Sequence, residues 1–180
     1  MPSDTRSGNT LRGFYEEFGV DAYYEHHAGN YVNPHERHVQ SLVRQADALG
    51  VLGNRVLDLC CGSGEVTRCL PHRECTGVDP YLGRIYSSRT GRPVFDWSFR
   101  DIAMGRLTGQ YDSVICSFGL HLCPLSLLPQ VLWNLARLSA ALVVLSPHKR
   151  PDCDGVALWT CVHEAVEERV RMRIYLGITA

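Results

Sequence analysis

Lysine is almost missing from this sequence: Lys149 is the only one among 180 residues, and every other fixed cation is an arginine. The 18 basic and 19 acidic residues leave a formal charge of −1, so bulk charge alone would not hold the chain to nucleic acid. No apolar run approaches the roughly 20 residues that a bilayer span requires. The opening MPSDTRSGNT lacks an apolar core and carries Asp4, which reads as neither a signal peptide nor a transit peptide. The eight cysteines include no CxxC pair, and His121/Cys123 or Cys161/His163 lack the second spaced pair that a zinc site needs. They are expected to be buried thiols in a reducing, cytoplasmic setting.

What is present fits one ordinary globular domain, 45% hydrophobic and 21% charged, expected to span residues 1–180. A short helix is expected over 11–18, followed by an aromatic and histidine-rich stretch at 21–36. Asn33 and Pro34 predict the start of a helix that ends near Leu49, before Gly50. From residue 54 the rhythm becomes strand, turn, helix. Apolar runs at 55–61, 74–80, 93–99, 111–118 and 141–147 predict five strands, with helices at 65–70, 81–88 and 125–140, the last interrupted near Pro129. That alternation predicts a doubly wound, mostly parallel α/β sheet. Residues 156–168 and 169–178 read as two consecutive strands turning near Glu167–Glu168, so the sheet is expected to end in an antiparallel hairpin.

In an open parallel sheet, ligands bind at the carboxyl ends of strands where the strand order reverses. The first strand runs into Asp58-Leu59-Cys60-Cys61-Gly62-Ser63-Gly64-Glu65, where Gly62 and Gly64 permit a sharp turn and close backbone approach. The second ends in Asp79, fifteen positions beyond Gly64, where a carboxylate can accept hydrogen bonds from both hydroxyls of a ribose. Together these imply an adenosine-type ligand. A dinucleotide fingerprint would need glycine at 67, where Thr67 stands, and no GK[ST] completes a phosphate loop. Asp58 and Glu65 are poor neighbours for a pyrophosphate at a helix N-terminus. A cationic nucleoside without phosphate fits better.

VLDLCCGSGEVT, GVDPY, FRDIA and YDSVICSFGLHL, in that order, resemble the successive motifs of the class I S-adenosylmethionine-dependent methyltransferases. The resemblance covers about residues 36–147 well and the hairpin in pattern only. It implies a seven-stranded Rossmann-like methyltransferase fold without an inserted cap domain, and S-adenosylmethionine as cofactor. Gly62 and Gly64, with Cys60 beside them, would meet the methionine end, and Asp58 the amino group, directly or through water. Asp79 would hold the ribose, Pro80 and Tyr81 the adenine edge, and Asp101 and Ile102 the adenine itself. Cys116, Ser117 and Phe118 would line the methionine chain. Cys60 stands where the commonest pattern has glycine. An aromatic N-terminal segment, here 1–35, often folds over the cofactor in this family, which makes Tyr31 a lid candidate.

On the acceptor side, His121 and His27 are the candidate bases, with His26, Tyr23 and His148 near them in the pattern. The place of the (D/N/S)PP(Y/F) segment, by which enzymes acting on exocyclic base nitrogens resemble one another, reads Cys116-Ser117-Phe118-Gly119. Cys123-Pro124 reverses the Pro-Cys order of cytosine C5 enzymes. A small-molecule acceptor is slightly favoured over RNA or protein. The alternative is a non-catalytic methyltransferase-like domain that uses the fold for binding within a ribonucleoprotein. In the last strand Arg169, Arg171 and Arg173 would share one face, which is expected to be open to solvent or to receive RNA, an acidic partner or a second subunit.

Overall fold

The computed structural model describes residues 35–177. Helix α1 (Glu36–Ala48) buries His38, Val39, Leu42, Val43 and Ala46, one stripe at helical spacing. Its N-cap is His35 rather than Asn33, and Gly50 at φ 74° supplies the left-handed stop beyond Leu49. The chain continues through β1 (Arg55–Leu59), α2 (Glu65–Cys69), β2 (Glu74–Val78), α3 (Gly83–Thr90), β3 (Val94–Phe95), α4 (Phe99–Ala103) and β4 (Ser113–Ser117). A 3₁₀ turn (Leu120–Leu122), α5 (Leu128–Ala136), β5 (Ala141–Ser146), β6 (Trp159–Glu167) and β7 (Val170–Gly177) complete it. No helix among the described residues is long and apolar enough to cross a membrane.

The seven strands form one sheet in the order β3-β2-β1-β4-β5-β7-β6. The first five pair in parallel, and β7 runs antiparallel to both β5 and β6. Alternate strand residues feed two cores. Val56, Ile115, Val143 and Met172 face α1 and α2, whereas Leu57, Val114, Leu142 and Tyr175 pack on the other side with residues of α5. β5 is buried along its whole length, as a central strand covered on both faces must be.

Two expectations about the segments flanking β3 and β5 change. The run 93–99 yields only Val94–Phe95 as strand; Ser98 then caps α4 through a reciprocal pair with Asp101, so FRDIA is helical. Pro129 does not interrupt a helix over 125–140. It sits in the first turn of α5, where its missing N–H has no partner to lose.

The hairpin forms with Glu168 turning at φ 52°, but its arginines are not an open basic face. Val170, Met172 and Ile174 point into one core. Arg171 and Arg173, on the other face, both grip Glu164 of β6, Arg173 Nε at 2.7 Å. Arg173, with 12% of its side chain exposed, also donates to the Lys149 carbonyl at 2.8 Å. Arg169 lies outside the strand in the exposed turn. Trp159 closes the end of the sheet that lacks a covering helix, donating from Nε1 to the Leu132 carbonyl at 3.0 Å. Replacing Arg173 with Ala leaves Glu164 half-paired and frees the Lys149 carbonyl, with an expected loss of ~1–3 kcal/mol. Arg169→Ala should stay within ~0.5 kcal/mol. Urea unfolding of the two variants checks this pair, and equal effects would refute the assignment.

Candidate functional site

Strand order reverses between β1 and β4, and in a doubly wound sheet the ligand crevice lies at the carboxyl ends of the strands at that point. The chain leaves β1 with Cys60 at φ 57°, then Gly62 at 53° and Gly64 at 91°. Cys60 holds the left-handed conformation that glycine adopts without strain, which is the physical meaning of its departure from the common pattern. Room for its side chain comes from the facing chain. A Cβ on Gly119 would lie 2.3 Å from Cys60 Cβ and 2.5 Å from its Sγ. The Cys60 thiol is held well above the ordinary range by contact with Cys116 and by burial. Burial pushes Cys123 and Cys153 up to about 12 each. These groups are protonated at neutral pH, and all eight cysteines are free.

Two carboxylates bracket this turn. Asp79, 7% exposed, accepts from Gly62 N–H at 3.0 Å through Oδ2, and from Tyr81 and Leu82 N–H at 2.9 Å each through Oδ1. It therefore shapes both loops of the crevice, and Oδ2 keeps a second acceptor position. Asp58, 1% exposed on β1, accepts from Thr67 Oγ1 at 2.8 Å, and Tyr86 donates to Thr67 in turn at 2.8 Å. Its Oδ1 is buried with no hydrogen-bond partner. Burial, followed by the charge of Glu65, raises Asp58 to about 8 against the bond from Thr67. A desolvated acid with one unused oxygen has an unmet capacity to accept a hydrogen bond, and a nearby positive charge would favour its ionised form.

The remaining expected residues divide. Asp101 accepts from Ser98 N–H at 3.0 Å and Ser98 Oγ at 2.6 Å, and it pairs with Arg106 at 2.8 Å. These contacts hold its carboxyl below the usual range. Ile102 is buried in the core. Pro80 and Tyr81 follow Asp79 into α3, Tyr81 being 40% exposed. Cys116 and Ser117 end β4, and Phe118 turns there at φ 57°. Its ring stacks on His35 at 5.4 Å between centroids, a contact missed in the sequence because the two residues are far apart in the chain. His121 lies in the 3₁₀ turn with its ring 4.8 Å from that of His148. Its Nδ1 is buried without a partner, and burial, then the charge of His148, lowers it to about 4. His26, His27, Tyr23 and Tyr31 lie outside the described residues.

Because Asp58 holds its proton more tightly when folded, its ionisation opposes folding as pH rises from about 4 to about 8. Asp58→Asn removes that slope and should raise the stability of the free protein at pH 8 by a margin on the order of a few kcal/mol; thermal melts across pH check it. Gly119→Ala should destabilise by ~1–3 kcal/mol through overpacking, and Cys60→Gly in the same chain should recover most of the loss. Additive effects in that cycle would disprove the contact.

No family model matches the chain. Uncharacterized protein C17A5.05c of Schizosaccharomyces pombe is 30% identical over 217 aligned positions, covering 87% of this chain and 88% of the relative. Among solved structures, magnesium protoporphyrin IX methyltransferase from Synechocystis with bound SAM superposes with a TM-score of 0.67 at 18% identity, over 93% of this chain and 95% of that one. N-methyltransferase NodS from Bradyrhizobium japonicum, in complex with S-adenosyl-l-homocysteine, gives 0.72 at 14% identity, over 87% and 97%. The chain thus belongs to one family with the fission yeast protein and has the class I S-adenosylmethionine-dependent methyltransferase fold.

Proposed function

We propose that the crevice binds S-adenosylmethionine and that the chain is a methyltransferase for a small-molecule acceptor. The observation that carries this reading is the pair of buried carboxylates around a left-handed glycine turn, one of them with an unpartnered oxygen. The cofactor would supply an activated methyl on a sulfonium. Asp58 would receive its ammonium and ionise on doing so. Asp79 would accept from the ribose through Oδ2 while still holding Gly62. Phe118 and the end of β4 would flank the methionine chain, with Asp101 and Ile102 at the adenine side. That two proteins of the same fold carry SAM or S-adenosyl-l-homocysteine supports the reading.

On the acceptor side, burial lowers His121 to about 4, which leaves a neutral but weakly basic imidazole; it would position a hydroxyl or amine acceptor rather than drive its deprotonation. Alignment of donor and acceptor with exclusion of water supplies the rest.

Calorimetry and thermal shift with both forms of the cofactor test the proposal. Ligand at 100 times Kd should stabilise by about 2.7 kcal/mol, and the absence of a response to either would favour the non-catalytic reading. Binding at pH 7 should release protons as Asp58 ionises, seen as a heat that varies with the buffer's ionisation enthalpy. Asp58→Asn should abolish that release and weaken binding ~10- to 100-fold, the worth of a charged hydrogen bond. A buffer-independent heat in the unmodified protein would show that Asp58 does not meet the ammonium.

A further inference from the structure

We infer that the loop 147–151, Pro-His-Lys-Arg-Pro, selects an acceptor that carries an oxyanion, either a carboxylate or a phosphate group. The inference rests on the reading of the crevice as a methyl-transfer site and names its substrate class. The loop leaves the carboxyl end of β5 beside the turn that bears His121, as the contact between the His121 and His148 rings shows. His148, Lys149 and Arg150 are all exposed. Among the described residues, neither Lys149 nor Arg150 has an ion pair or a side-chain hydrogen bond, although other arginines nearby are fully engaged.

The acids close in sequence are committed elsewhere. Asp152 Oδ1 accepts from the Tyr175 hydroxyl and from Asp154 N–H, both at 3.2 Å. Asp154 Oδ1 accepts from Cys161 N–H at 2.7 Å. Glu164 is held by Arg171 and Arg173. The two loop cations therefore keep their charge for a ligand.

The loop backbone is tied down at Lys149 and at His148. Arg173 Nη1 donates to the Lys149 carbonyl at 2.8 Å, and His148 N–H donates to Ser146 Oγ at 3.1 Å. Pre-ordering of this kind lowers the entropic cost of gripping a ligand. A guanidinium fork beside an ammonium matches carboxylate and phosphate oxygens. A sulfonium in the same crevice would attract the same charge, so donor and loop agree on the sign of the acceptor.

The test uses the full chain, with and without S-adenosylhomocysteine, titrated at low ionic strength with inorganic phosphate and separately with benzoate. Chloride at matched ionic strength is the control. Saturable binding of at least one probe is expected, weakened ~10-fold or more in a Lys149→Gln/Arg150→Gln variant; the probe that binds tighter identifies the oxyanion. Affinity for S-adenosylhomocysteine should change less than ~2-fold in that variant, since neither side chain is placed at the cofactor. Equal binding of both probes to variant and parent, or no binding at millimolar concentration, overturns the inference. Tight binding of a single-stranded oligoribonucleotide with no response to either small anion overturns it in favour of RNA. Failure of S-adenosylhomocysteine to bind sinks the cofactor reading instead, and the cofactor-free titration still decides the loop.

Discussion

The hydrogen bond from Gly62 N–H to Asp79 joins the ends of two neighbouring strands, and the shape of the crevice follows from it. One carboxylate holds the turn after β1 through one oxygen and the entry to α3 through the other. Backbone amides that would otherwise face an anionic ligand are turned toward a side chain of the protein. The same loops in a dinucleotide-binding sheet aim such amides at phosphate. Here the local field is acidic, which is the electrostatic basis for expecting a cationic ligand.

Asp58 carries the opposite cost. It lies in the core wall of β1, and its environment favours the neutral acid, so the folded chain holds a group whose ionisation it resists. A positive charge at the unpartnered oxygen would relieve the penalty. Binding sites commonly trade folding stability for ligand affinity, and on the proposed reading Asp58 would place both effects on one side chain. Cys60 is a second local concession: a side chain in a glycine conformation is accommodated because Gly119 opposite has none.

The far end of the sheet replaces a covering helix with a loop and a hairpin. Trp159 and Tyr175 fill the apolar space, and a small polar cluster ties the loop down. Arg173 is central to that cluster: a long side chain that lies along the sheet, satisfies a carboxylate and a carbonyl, and leaves little of itself in water. With Arg171 and Arg173 paired to Glu164, Lys149 and Arg150 are, among the described residues, the cations left without an ion pair on the loop after β5.

The parallel strands, the terminal hairpin, the glycine turn and the two bracketing carboxylates were legible in the sequence. Each rests on a period of two, on a backbone conformation that glycine tolerates, or on a charge that must lie near the chain that carries it. Tertiary structure alone decided which charges stay available and which rings meet. The alternation of arginines in the last strand shows that they share a face, but only the pairing of β6 with β7 brings Glu164 across to neutralise them. Asp101 is expected from the motif to face the adenine, and only the structure shows that the same carboxylate closes a capping box with Ser98 and pairs with Arg106. His35 against Phe118 and His121 against His148 are contacts between distant segments, and local pattern carries no information about such pairs, because they exist only once the sheet has closed.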